Sequence, residues 1–311
     1  MLEEDSVALV SERNLAAISK YDVNFSAPGG GTLRWRLGGL YGTWPIKSLD
    51  GATTYPPSET VWANQHNPEY ISETEICMFD CTGLGNESRL LIVDVNESAA
   101  EARLSWEYRL GVLSSVFGDC DPLPSGNLLA NYWDQNYTNS SALGPDGDEV
   151  GGIVEVVRAA DGAGEDRIAW HMRIYGKRCP RDEGDCQNSD VAGWHTYSVE
   201  RFYDNPLLPS PGSAMGEPRC AWDGGQLVLH FTAYNSFKQS SKAAGAFTLT
   251  ETAGGAVAAE GSFAFEPFWR PTRVMGVPVT LTQPNVSREV ELEVRNVRNR
   301  TTAYRFDCTR G

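Results

Sequence analysis

EICMFDCTGLGNESRLLIVDVNESAAEARLSWEYRL, residues 75–110, holds the pattern on which the fold turns. It contains three short runs, EICMFD (75–80), RLLIVDV (89–95) and ARLSWEYRL (102–110), separated by Gly, Asn, Glu and Ser. Apolar, β-branched or aromatic runs of this length, bounded by turn residues, read as strands. ESAAEARL (97–104) is too short for a convincing helix and reads better as a turn entering a strand. The last run carries a Trp flanked by alternating apolar and polar residues. The same signature appears at LRWRLGG (33–39) and IAWHMRI (168–174), and in degenerate form at SFAFEPF (262–268).

A shorter strand precedes each copy: AISKYD (17–22), RLLIVDV, GIVEVV (152–157) and GAFTLTE (245–251). Further upstream lies a strand–turn–strand unit, clearest in FGDCDPLPSGNLLANYW (117–133) and RCAWDGGQLVLHFTAY (219–234), whose SGN and DGG turns suit tight hairpins. The repeating unit is therefore four antiparallel strands with Trp on the last one. This predicts an all-β chain, and specifically a β-propeller of four-stranded antiparallel blades. About four blades are visible, against six expected in a complete protein. Residues 1–270 are assigned to blades. Residues 271–311, with PVTLTQP, EVELEVRNV and TAYRFDC, form a last blade or a small appended sheet. The chain opens in mid-pattern, so the reading expects N-terminal blades and a signal peptide ahead of Met1; MLEEDSVALV itself lacks the basic-then-apolar pattern of a signal.

Composition narrows the function. The 311 residues carry 26 basic and 41 acidic side chains, a net charge of −15. That balance argues against nucleic acid or an anionic membrane surface as the main partner. No apolar run reaches the roughly 18 residues of a membrane span.

Seven cysteines, 77, 81, 120, 179, 186, 220 and 308, leave at least one without an intrachain partner. Cys179 and Cys186 bracket CPRDEGDC, a loop a disulfide could close. Cys77 and Cys81, four positions apart on a strand, are separated by about 13 Å and cannot bridge each other. No zinc-ligand spacing appears. Seven N-x-S/T sequons open at Asn24, Asn86, Asn96, Asn136, Asn139, Asn285 and Asn299, where chance gives roughly two. Together these features predict a glycosylated protein of the secretory pathway or the extracellular space.

Four histidines can be weighed one by one. His171, His195 and His230 read as structural strand residues. His66, in VWANQHNPEY, is flanked by amides and Pro at an inner-strand position, where propellers gather ligands. Arg13, in LVSERNLAAI, occupies the corresponding stretch of the preceding blade. A partly buried Arg there must find an anion, either a structural carboxylate or a ligand. GGG (29–31) lacks the remainder of a phosphate loop, and GSAMG (212–216) is not a nucleophile elbow. The acidic runs DGDE (146–149) and RDEGD (181–185) read as exposed loops. No cofactor motif is present, and none is expected.

LVSERNLAAISKYD…LRWRLGG, WANQHNPEY…EICMFDCTG…LSWEYRL and FGDCDPLPSGNLLANYW, taken in order, resemble the PAPS-independent arylsulfotransferases over about residues 6–135. The resemblance implies sulfuryl transfer from a phenolic sulfate ester to a second phenol, through a sulfated histidine. His66 matches that histidine, Arg13 the arginine that holds the sulfate, and Gln65 a substrate-binding neighbour. Asn67 stands where the family usually has Asp, and Cys81 where it has Asn. A further family histidine, expected ahead of Arg13, has no counterpart in this sequence. The competing expectation is a non-catalytic secreted propeller that binds a ligand or partner; a third is a hydrolase releasing sulfate to water.

Overall fold

The computed structural model describes residues 6–23, 30–81, 87–133, 148–159, 165–178, 191–192, 196–209, 217–235, 242–267, 270–283 and 288–308. Among them the chain is all-β apart from one 3-10 turn at Arg13–Leu15. It divides into two compact units, 1–122 with 126–200, and 123–125 with 201–311.

The first unit contains three sheets. The first is the meander β1 (Ser6–Glu12), β2 (Ala17–Val23), β3 (Gly31–Leu37). The second adds β4 (Ile46–Lys47), β5 (Thr54–Tyr55), β6 (His66–Tyr70), β7 (Glu75–Asp80), β8 (Arg89–Asn96) and β9 (Glu101–Arg109), in the order β5-β4-β9-β8-β7-β6. The third runs β10 (Asp121–Pro122), β11 (Leu128–Trp133), β12 (Asp148–Val157), β13 (Arg167–Arg178), β14 (Val191–Ala192). Strands β6–β9 and β10–β13 are the expected four-stranded antiparallel meanders with Trp on the last strand. The short β4–β5 hairpin, with β4 parallel to β9, was not legible in the sequence; it covers an edge that would otherwise be open.

The Trp repeat has a backbone counterpart. Lys20 pairs with Trp35 and Tyr21 with Leu33; Ile92 pairs with Trp106 and Val93 with Leu104; Glu155 pairs with Trp170 and Val156 with Ile168. Each Leu/Ile-x-Trp therefore makes a β-bulge at the residue before Trp, a local device that bends and twists a strand. Two of the indoles also latch onto the following sheet. Trp35 Nε1 donates to Glu97 (3.1 Å), and Trp106 Nε1 donates to Asp166 (2.8 Å).

Stacking of these sheets explains why β7 and β8 are apolar on both faces. Ile76, Met78, Leu91 and Val93 pack with Ile18, Trp35 and Leu37 of the first sheet. Cys77, Phe79, Leu90 and Ile92 pack with Leu128, Ala130, Val154 and Val156 of the third. The period-2 alternation of a strand sends successive side chains to opposite cores.

The second unit departs from the expected fourth blade. β15 (Arg219–Asp223) and β16 (Gln226–Ala233) form the predicted hairpin, but β16 continues onto β19 (Thr272–Pro278). β17 (Ala243–Glu251) and β18 (Val257–Phe265) instead join β20 (Arg288–Asn296) and β21 (Thr301–Cys308), in the order β18-β17-β20-β21. The two sheets share one core, including Leu229, Phe231, Phe247, Leu249, Leu292 and Val294. A Cys220–Cys308 disulfide ties β15 to β21. The physical reason is visible in β17, whose burial alternates strictly, so it has one core face and not two. SFAFEPF is not a fourth copy, since no bulge interrupts Ser262–Phe265. The change of architecture thus falls near residue 200, ahead of the boundary at 270 expected from the sequence.

Asn96 and Asn299 are exposed. Asn24, Asn86, Asn136, Asn139, Asn285, Cys179, Cys186 and His195 lie outside the described residues.

Candidate functional site

Arg13 and His66 are 53 positions apart and meet. Arg13 opens the 3-10 turn between β1 and β2, while His66 opens β6. Arg13 Nε donates to His66 Nε2 at 3.3 Å. That contact needs a lone pair on Nε2, which leaves the imidazole proton on Nδ1. The guanidinium is held by two more acceptors, Ser115 O (2.8 Å, from Nη2) and Asn14 Oδ1 (3.2 Å, from Nη1).

A set of buried bonds fixes both loops. Gln65 Nε2 donates to Ala17 O (2.7 Å) and Ser11 Oγ (3.3 Å), and Ser11 Oγ donates to Gln65 O (3.0 Å). Trp62 Nε1 donates to Ala16 O (3.0 Å). Gln65 is fully buried. Its amide nitrogen holds Ala17 O and Ser11 Oγ, while its Oε1 is buried without a hydrogen-bond partner. Below this segment, Arg89 Nε donates to Asp80 (2.9 Å) and Nη1 to Glu107 (2.6 Å), while Nη2 bonds Val61 O. Asp80 also accepts from Ala63 N (3.0 Å). The buried ion pair therefore anchors residues 61–63, three positions ahead of His66.

On the other flank, Asn67 Nδ2 bonds both Asp119 and Asp121. Asp119, 2% exposed, also accepts from Cys120 N (2.9 Å) and Val199 N (3.0 Å). The backbone here is unusual. Asn64, Asn67 and Phe117 all have positive φ, at 54, 44 and 65 degrees. Asn tolerates that region, whereas an aromatic residue there is strained by about 1–2 kcal/mol. Gly118 (φ 113) is required beside it, because a Cβ would lie 2.4 Å from the Phe79 ring. Such outliers gather where a fold positions functional groups.

The electrostatics favour a neutral imidazole. Burial lowers the pKa of His66 below its ordinary 6.5, and the Arg13 charge lowers it further. Nearby Cys81 is pushed up to about 12, mainly by burial, against the pull of Arg13. It is a neutral thiol, bonded to Phe117 O (3.4 Å), and not a nucleophile. The arrangement holds a neutral imidazole whose Nε2 lone pair accepts from a planar cation.

Other sequence candidates separate cleanly. His171 Nε2 bonds Tyr132 (2.9 Å), and His230 Nδ1 accepts from Gly276 N (3.3 Å), both strand contacts that fit the structural expectation. Sequence reasoning gave no role to Asp119 and Ser115, and marked Asn67 only as standing where an Asp is usual; all three act through backbone and neighbour contacts. GDCD (118–121) carried the one available signal, two acids alternating on a strand entry. Among the described residues no group of three or more His, Cys, Asp or Glu is arranged to hold a metal. A depression of about 400 Å³ on the outer part of the second sheet includes Arg89 and Glu107, already paired with each other. No protein-family model matches this chain, and no curated protein matches it.

Proposed function

We propose that this chain is a β-propeller sulfotransferase that moves a sulfuryl group between phenols, with His66 as nucleophile and Arg13 as sulfate clamp. The observation that carries the reading is the 3.3 Å approach of Arg13 Nε to a lone pair on His66 Nε2. Three stacked sheets repeating the same Trp-adjacent bulge support the propeller part.

In the first step the Arg13 Nε–H turns from His66 Nε2 to a sulfate oxygen, and the freed Nε2 lone pair attacks the sulfur of an aryl sulfate. An N–S bond forms, the S–O bond to the ring breaks, and a phenolate leaves with the electron pair. In the second, the oxygen of another phenol attacks that sulfur and the N–S bond breaks. The acceptor proton passes to water, which balances the phenolate released in the first step, and neutral His66 is restored. Splitting one transfer into two steps suits imidazole, which is nucleophilic near neutral pH. Arg13 meets the negative oxygens of the transferring group with paired N–H donors. Neither step calls for a nucleotide or a metal.

The Cys220–Cys308 disulfide and the exposed sequons at Asn96 and Asn299 support passage through an oxidising secretory compartment. No described helix is long and apolar enough to cross a membrane.

The test is phenolate release from 4-nitrophenyl sulfate, with and without phenol as acceptor. Acceptor-dependent release that vanishes in His66→Ala is expected. Full release in His66→Ala refutes the assignment. Acceptor-independent release identifies a hydrolase, and stoichiometric binding without turnover identifies a binding protein.

A further inference from the structure

Three aromatic residues from distant parts of the first unit form a chain of ring contacts that begins at His66. The Tyr197 ring stands edge-on to the His66 ring, with centroids 6.1 Å apart and planes at 87°. Phe117 is edge-on to Tyr197 at 5.5 Å, and Trp133 lies 6.1 Å beyond Phe117. Tyr197 is 64% exposed. A large aromatic ring left this open is ordinarily a tolerated accident of the surface.

Its backbone argues otherwise. Asn131 Nδ2, on a fully buried side chain, donates to Thr196 O (2.7 Å), and Val199 N donates to Asp119 (3.0 Å). The segment is thus pinned on both sides of Tyr197. The same Asp119 carboxylate holds Asn67, the residue after His66. One buried group therefore fixes the histidine's neighbour and the strand of chain that carries the ring. Pre-organised apolar surface of this kind binds flat ligands without the entropy cost of ordering a loop.

We infer that Tyr197, Phe117 and Trp133 form the wall against which an aryl ring lies while its oxygen or sulfate group faces His66. The inference rests on His66 being the reactive group, and it adds the residues that select a ring over an aliphatic chain. Edge-to-face and offset contacts with such rings add binding beyond simple burial.

Binding of 2-naphthol, which carries no sulfate, tests the wall apart from the transfer chemistry. Isothermal titration of the full chain is expected to show saturable binding, weakened about threefold to tenfold by Tyr197→Ala. Tyr197→Phe, which keeps the ring, is expected to restore it to within about twofold. Trp170→Ala, which removes an exposed Trp from β13, serves as control and leaves binding unchanged. Absence of naphthol binding overturns the inference. So does equal binding by Tyr197→Ala and the parent chain, or an equal loss in Trp170→Ala. If the wall behaves as stated while aryl sulfates never sulfate His66, the aryl site stands and the transferase reading falls.

Discussion

Arg89→Met is the substitution whose consequence can be worked furthest. Arg89 is 4% exposed and bonds Asp80, Glu107 and Val61 O. Met keeps most of the apolar stem and deletes the charge. Asp80, fully buried, keeps its bond from Ala63 N but loses its guanidinium. Breaking a buried pair by removing one partner costs about 3–5 kcal/mol. With a urea dependence of about 2–3 kcal/mol per molar for a unit of this size, the midpoint should fall by about 1–2.5 M. Trp35 and Trp62 are both buried in the first unit, so tryptophan fluorescence follows its unfolding. Adding Asp80→Leu should recover at least half of the loss, since replacing both members of a buried pair is often nearly neutral. A midpoint within about 0.3 M of the parent would refute the claim that this pair anchors the segment leading to His66.

Other outcomes follow from the same contacts. Sulfuryl transfer should fall off on the acid side with a midpoint below the ordinary histidine value of 6.5, since burial and then Arg13 hold His66 neutral. Arg13→Gln should raise that midpoint without restoring 6.5, because burial is the larger cause; a pH–rate profile of the single-turnover step reads both. Because the folded value is depressed, His66 contributes stability that is complete above pH 6.5 and lost as pH falls toward its folded value. Replacing Cys220 and Cys308 by Ala opens a link spanning 88 positions, and the loop-entropy estimate puts the loss in the second unit at about 4–5 kcal/mol, measurable by its thermal midpoint. In the native chain at pH 8, iodoacetamide should leave Cys77, Cys81 and Cys120 unmodified, as all three are buried with raised pKa values; peptide mass spectrometry before and after unfolding decides it.

The legible parts of the sequence were those set by local periodicity. RLLIVDV is apolar on both faces because β8 lies between two cores, and each Leu/Ile-x-Trp marks a strand with a bulge. The second unit misled because GAFTLTE follows QLVLHFTAY in the chain, yet strand order depends on which faces remain to be covered. Strict alternation in β17 was the signal that it belongs to a two-layer packing. At the site, Arg13 stood out as a charge in an apolar stretch and His66 as a histidine flanked by amides and Pro. Asn67, Asp119 and Tyr197 did not, because their roles arise from hydrogen bonds between turns 52 and 80 positions apart. For Gln65 the sequence shows an amide beside a histidine but not which way it faces.

The central claim is that the His66 nitrogen takes the sulfuryl group. The most direct measurement is peptide mass spectrometry of the full chain after brief exposure to an aryl sulfate without acceptor, under neutral to alkaline handling. The account predicts a gain of one SO₃ on the peptide containing His66, discharged by added phenol and absent in His66→Ala. An unmodified His66 peptide while phenolate is released, or the same gain on another residue in His66→Ala, would contradict it.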